Sequence, residues 1–302
     1  MAADSGKNYS RNFISFLLAA SVIGLFIFYR KEVSDAFKGI SILWVVLGLT
    51  CFQINYLFRA ARVHVLTKRR IAVFPEAIYC SSLHGFATYM LPMRAGELSL
   101  PLILKTTAGI ELKEGAKILY RARLLDVLIL GFWLIVAAIL PFSQLPITYK
   151  VCMAVLGLLM VSSPMVLGKL SGRYLVNFKR ISGMAKAVAE SSAFDKTEIM
   201  LSVTIWIASA AMLWSIAAAM HLSLSLDELL FLVAIQLVMQ LFPIQGFANS
   251  GNHESGWIGA MMIIGYPADI SLQFALASHA IVLVFVLFLG FMALVLRYLC
   301  VN

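Results

Sequence analysis

Long apolar runs separated by short polar stretches dominate the chain, and nowhere do apolar and polar positions alternate with period two. Runs at residues 12–29, 40–58, 117–140, 151–167, 199–220 and 272–296 have the length that crosses a bilayer as an α-helix, about 17 to 25 residues, whereas a membrane-spanning barrel would alternate. Two further segments are apolar but cut in the middle. Residues 73–109 are interrupted by "MLPMRAGELS" at 90–99, and the segment from 229 to 265 by a polar, glycine-rich stretch at 245–256. Their halves are too short to span alone, which is the pattern of re-entrant or broken helices. The pattern predicts an all-α polytopic membrane protein with about six full transmembrane helices and two broken re-entrant hairpins.

The order span, broken hairpin, span occurs twice, at 40–140 and at 199–297. Three crossings separate the two starts, so the second unit is upside down relative to the first. This predicts an inverted repeat whose broken helices meet near the midplane, a common transporter plan. The chain then reads as a single integral membrane domain, 1–302. It divides into an N-terminal helix and loop (1–39), a first repeat unit (40–140), a connecting span with a basic loop (141–198) and a second repeat unit (199–302).

Composition supports the membrane assignment. Of 302 residues, 61% are hydrophobic and 13% charged, against about 45–50% and about 25% in soluble domains. The four cysteines have no paired spacing and read as small hydrophobes. A formal net charge of +9 bears on topology rather than on nucleic acid. Basic residues gather at Lys7 and Arg11, in five positions between 59 and 70, five between 105 and 123, six between 169 and 196, and at Arg297. Arg30, Lys31, Lys38 and Lys150 fall on the other side of the expected spans. The asymmetry places the first set, and both termini, in the cytoplasm. The first run is long for a signal peptide and ends at Arg30 and Lys31 with no small-residue cleavage site, so it is expected to be retained. The basic stretch at 168–198 reads as a cytoplasmic loop, with an amphipathic helix on the lipid surface as the alternative.

Candidate chemistry sits at the interruptions. Arg94 and Glu97, three apart, would share one helix face, and an arginine at membrane depth costs about 2.5–3.5 kcal/mol on insertion scales unless paired or hydrated. Pro92 ends a helix and Gly96 permits a redirection, leaving backbone amides free to face an anion, while the arginine fork binds phosphate at two points. A lipid-phosphate site and a purely structural Arg94–Glu97 pair both fit. The second interruption carries Gln245, Asn252, His253 and Glu254 among glycines. Glu254 is a candidate proton or cation site, or a partner for a buried arginine such as Arg94. Metal binding by His253, Glu254, His84 and His279 is disfavoured, because no ligand pair has a recognisable spacing. Arg123 and Asp126, three apart in "YRARLLDVLIL", form a pair or extend a polar path. Arg59 and Arg62 read as interfacial anchors.

These motifs resemble a family. "LPMRAGELSLPLIL" is similar to the P-x-R-x-G-E signature of the lysylphosphatidylglycerol synthase transmembrane, or flippase-like, family. "YRARLLDVLIL" resembles its arginine-leucine-aspartate helix, and "FPIQGFANSGNHESG" its second proline, glycine-rich, glutamate loop. The match covers Pro92, Arg94, Gly96, Glu97, Arg123, Asp126, Pro243, Gly246 and Glu254. Leu100 stands where the family usually has a basic residue, and the second loop is longer than the family's compact form. No aminoacyl-transferase domain follows the last run, so lysyl transfer is not expected.

The resemblance implies movement of an anionic phospholipid or a polyprenyl-phosphate-linked glycolipid between leaflets of a bacterial or archaeal cytoplasmic (inner) membrane. Membrane lipids with anionic headgroups are then the partners, without cofactor, metal or nucleic acid. A homo-oligomer or a lipid-modifying enzyme partner stays open. The rival reading is an intramembrane enzyme or accessory subunit in lipid or lipid-linked sugar modification, with Glu97, Glu254 or Asp126 as acid or base.

Overall fold

In the computed structural model of the chain, residues 30–140, 146–174, 194–241 and 245–301 are described, with Gly24, Ile27 and Phe28, and every regular element among them is helical. A short helix α1 (Arg30–Lys38) precedes the long α2 (Ile42–Leu66). The first interrupted segment forms α3 (Ile78–Met90) and α4 (Ser99–Ala108), joined by a tight turn over Pro92–Leu98. Then come α5 (Leu112–Ile139), α6 (Ile147–Tyr174) and α7 (Lys196–Ala219). The second interrupted segment forms α8 (Leu226–Leu241) and α9 (Asn252–Ile263), and α10 (Ala268–Val301) closes the chain.

Among the described residues, four helices are long and apolar enough to cross a membrane: α2, α5, α7, and α10 over Ala268–Tyr298. The expected span at 151–167 lies within α6, whose apolar stretch is the shorter Ile147–Ser163. Most of the expected span at 12–29 and most of the basic loop at 168–198 lie outside the described residues, although α6 runs on to Tyr174 where that loop was expected to begin. Large apolar side chains such as Phe132, Leu158, Met200, Val284 and Phe291 are exposed on the helix surfaces. That belongs in lipid rather than in water, because soluble monomers rarely carry such extensive apolar patches.

Both interruptions are real breaks, and both are narrower than the sequence suggested. Leu91, with ψ 136°, is extended, as the residue before a proline tends to be, and α3 stops there. Met93 and Arg94 then turn into the left-handed region at φ 52° and 58°. In the second break, Ala248 and Asn249 do the same at φ 52° and 61°. Two consecutive non-glycine residues in this region cost about 1–2 kcal/mol each, so both breaks hold strain that their surroundings must sustain. The helix resumes at Asn252, which puts His253 and Glu254 in the first turn of α9 rather than in a loop. Pro243 lies outside the described residues.

Gly96 proves to serve close approach, not redirection. A Cβ there would fall 2.2 Å from the Ala87 carbonyl oxygen and 2.4 Å from Thr88 Cα, both on α3. The turn itself falls on Met93 and Arg94. A second close approach joins α5 to α6, where a Cβ on Gly157 would lie 2.6 Å from the Gly131 carbonyl oxygen. Small residues at such crossings let backbones touch, which is how helices gain packing contacts where lipid offers no hydrophobic drive.

The packing of the two interrupted units is reciprocal. The opening spans α2 and α7 lie along each other. The first half-helix of each unit packs on the closing span of the other, α3 on α10 and α8 on α5. Each second half-helix packs on its own closing span, α4 on α5 and α9 on α10. The main core lies between the units, with Phe274, Phe285, Leu289, Leu130, Ile205 and Leu232 fully or almost fully buried. A smaller cluster around Leu104, Ile110 and Ala60 fixes the first hairpin to α2 and α5.

Replacing Gly96 with alanine forces a methyl group into backbone atoms of α3 and should destabilise the protein by about 1–3 kcal/mol or more. Thermal unfolding of the purified variant should give a clearly lower midpoint; an unchanged midpoint would mean that the hairpin is not packed this tightly.

Candidate functional site

The two breaks dock on each other. Met93 N–H donates to the Gln245 carbonyl at 2.7 Å, so one of the amides that the sequence seemed to leave for an anion is already used. The Gln245 side-chain amide donates to the Thr88 carbonyl at 3.0 Å and the Tyr89 carbonyl at 3.3 Å. These lie at the C-terminal end of α3, where a helix leaves carbonyls without intrahelical partners. One glutamine thus closes the end of the opposite half-helix.

Behind the first break runs a chain of charges, partly buried at Glu97 and Arg123 and buried at Asp126 and Arg62. Arg123 on α5 donates from Nη2 to both Glu97 carboxylate oxygens at 2.7 Å, and from Nε to Glu97 Oε2 at 3.2 Å. Its Nη1 donates to Asp126 Oδ2 at 3.2 Å. Asp126 is fully buried and also accepts from Arg62 Nη1 at 2.7 Å and Trp206 Nε1 at 3.1 Å. Arg62 donates further to Ser202 Oγ at 3.0 Å. The break, α2, α5 and α7 are tied together by four charges of alternating sign. Arg62 is therefore no interfacial anchor: at 3% exposure it is the counter-charge of Asp126.

The Arg94–Glu97 pair is correspondingly loose. With Arg94 in a left-handed turn the two do not share a helix face, and Arg94 Nη1 approaches Glu97 Oε1 only to 3.6 Å. Arg94 Nε is buried without a hydrogen-bond partner. Arg59 forms no ion pair among the described residues. It donates to Asn55 Oδ1 at 2.7 Å, and its guanidinium carbon lies 5.7 Å from the Tyr56 ring centre and 5.9 Å from that of Trp206. Asn55 in turn donates to the Ile205 carbonyl and to Ser209 Oγ, both at 2.7 Å.

Glu254 does not meet Arg94 either; its partner is His279 on α10. Glu254 Oε2 accepts from Gly251 N–H at 2.8 Å, closing the first turn of α9, and Oε1 meets His279 Nδ1. His279 Nε2 lies 2.7 Å from the Ala248 carbonyl, which only accepts, so Nε2 carries a hydrogen. His253 stacks on His279 with ring centres 4.6 Å apart and contacts Ser278 Oγ at 3.1 Å.

These groups surround two adjoining cavities of about 130 and 140 Å³ that share Tyr56, Arg59, Tyr89 and Asn249 as walls. Arg94, Arg123, Gln245 and His84 face the first, and His253, Trp206 and Trp257 the second. Asn252 borders a smaller hollow of about 30 Å³. Of the residues singled out from the sequence, Arg94, Arg123, Gln245, Asn252 and His253 line these spaces. Pro92, Gly96, Glu97, Asp126 and Glu254 do not line them; they shape or orient the groups that do. Tyr56 and Tyr89 join the site without having been picked out; Arg59, expected as an interfacial anchor, and Asn249, expected only as part of the second polar interruption, line the cavities as well, and His279, weighed only as a metal ligand, is the partner of Glu254. For Tyr56, Arg59 and Arg62 a signal was present, since their three-residue spacing puts all three on one face of α2.

The family model described as lysylphosphatidylglycerol synthase TM region matches residues 12–290. The chain belongs to this family. Nothing among the curated proteins or the solved structures matches. The family is one of membrane domains, which agrees with the apolar helices in making the chain a multi-pass membrane protein.

Asp126 gives the sharpest structural test. Changing it to alanine leaves Arg62 buried without a counter-charge, a loss of about 3–5 kcal/mol. Chemical or thermal unfolding of Asp126→Ala should register it, and restoring apolar packing with Arg62→Met in the same chain should recover most of the loss.

Proposed function

We propose that the chain is a lipid carrier, a flippase or scramblase that moves an anionic phospholipid or a polyprenyl-phosphate-linked glycolipid between leaflets. The observation that carries this reading is the charge balance around the cavities. Arg59, Arg62, Arg94 and Arg123 converge on Glu97 and Asp126. The two carboxylates are taken up by Arg123 and Arg62, so Arg59 and Arg94 face the cavities in excess. Uncompensated arginines at membrane depth are costly, and intramembrane charges are functional candidates by default. A phosphate would supply the missing negative charge and accept from Arg94 Nε, which has no partner of its own.

In this mechanism the headgroup enters between the half-helices and docks on Arg94 and Arg59 while the acyl chains stay in lipid. Glu97, held by Arg123, keeps the guanidinium groups apart and oriented. The reciprocal packing of the two units, with opposed hairpins meeting at Met93 and Gln245, fits an inverted repeat that rocks about its central site. The basic asymmetry of the sequence puts both termini, and the mouth of the first hairpin, on the cytoplasmic side.

The test is leaflet accessibility of fluorescent anionic lipids in liposomes carrying the purified chain. Arg94→Ala should slow movement by about tenfold to a hundredfold, the scale of one lost charge-assisted contact. Arg94→Lys should fall between, since it keeps the charge and loses the fork. Normal movement by a folded Arg94→Ala chain would refute the assignment. A chemically altered lipid, detected by mass spectrometry, would replace it with an enzymatic one.

A further inference from the structure

The chamber behind the arginines differs in character from the one in front. Its volume of about 140 Å³ is comparable to the cavity of about 150 Å³ known to admit one benzene ring, so a single six-membered ring sets the scale. Its walls combine aromatic faces such as Trp206 and Trp257, aliphatic side chains such as Leu213 and Val282, and the polar groups of Asn55, Ser209, Gln236 and Asn249, with Arg59 the one formal charge among its described lining residues. The Gln236 side chain, which also borders the small neighbouring hollow, bonds to no other described group and so has donor and acceptor free.

Among the described residues no carboxylate lines either chamber or the small hollow. Glu97 and Asp126 are turned to Arg123 and Arg62, and Glu254 to His279 and Gly251. The aromatic faces that could otherwise hold an ammonium group already have a cation beside them, the Arg59 guanidinium against Tyr56 and Trp206. A second cation entering here would meet Arg59, with Arg94 beyond it, and no carboxylate in the cavity walls to offset them. Like charges brought together out of water repel strongly, which makes such a site selective against them. An uncharged polyol meets the opposite situation: its hydroxyls exchange hydrogen bonds with the Gln236 amide and the Asn249 amino group while its C–H face lies on the rings.

We infer that this chamber takes an uncharged polyhydroxyl headgroup, a sugar, inositol or glycerol moiety, joined to a phosphate held by Arg94 and Arg59, and that it excludes aminoacylated lipids, whose headgroups carry an ammonium. The inference rests on the lipid-binding reading above. It separates this chain from the lysylated lipid named in the family's description, since the lysyl headgroup is the kind that the chamber rejects.

The experiment compares phosphatidylinositol, phosphatidylglycerol and lysylphosphatidylglycerol with matched acyl chains. Binding to the purified full chain is read by native mass spectrometry, and movement between leaflets in liposomes. The native chain should bind the two polyol lipids about tenfold more tightly than the lysyl lipid. Gln236→Glu, nearly the same shape with a negative charge in the chamber wall, should narrow or reverse the ratio. Should that variant fail to fold, Asn249→Asp places the charge in the wall shared by both chambers and must shift the ratio the same way. Equal or tighter binding of the lysyl lipid, or a ratio that folded acidic variants leave unchanged, overturns the inference. Selective binding without movement removes the carrier reading and leaves this one standing. Movement of all three lipids at one rate with equal binding does the reverse, and no binding to any of them overturns both.

Discussion

Arg123 grips two carboxylates from opposite sides, Glu97 at the turn of the first hairpin and Asp126 one turn further along its own helix. Everything at the site follows from that grip. Asp126 in turn fixes Arg62 on α2, and it accepts from Trp206 on α7. A half-helix that cannot span the membrane alone is thus fastened to three helices that are long and apolar enough to do so. Burying four charges is costly, and a chain of alternating sign with satisfied hydrogen bonds is the arrangement that offsets that cost. Because Glu97 is committed to Arg123, Arg94 keeps a loose 3.6 Å approach and an unpartnered Nε. The same grip that stabilises the hairpin leaves a cationic group at the cavity.

The second break is built on a different principle and reaches a similar result. Its carboxylate, Glu254, meets His279 and not an arginine, and His279 in turn meets the Ala248 carbonyl. Left-handed pairs of residues turn the chain at both breaks, Met93 with Arg94 and Ala248 with Asn249. Each pair leaves one polar side chain, Arg94 or Asn249, in the cavity wall. Strain of this kind persists only where the surroundings hold it, and here each break is part of the surroundings of the other through Met93 and Gln245.

Much of this was legible in the sequence. Run length marked α2, α5, α7 and α10 as spans, because crossing a bilayer requires a fixed number of apolar residues whatever the partners. Proline, glycine and charge marked both breaks for the same reason: none of them is tolerated in lipid without a structural cause. The signature residues Arg94, Glu97, Arg123 and Asp126 do lie together, and Arg123 does pair with Asp126.

What only the tertiary structure decided is which charge answers which. Sequence proximity suggested Arg94 with Glu97, and Glu254 read either as a proton or cation site or as the partner of a buried arginine such as Arg94. Ion pairs are settled by distances of a few ångströms between helices that lie far apart in the chain, and spacing along one helix does not report these. Arg62 looked like an interfacial anchor because it ends an apolar run, yet it is buried once α2, α5 and α7 close around Asp126. Gly96 was read as a hinge when its role is contact, since a Cβ clash exists only against the backbone of α3. The sequence by itself determined that the chain is a membrane protein with two polar breaks, because the bilayer imposes that pattern on each segment separately. The cavity, its excess of positive charge and an inner wall without a carboxylate among the described residues arise only when the segments meet.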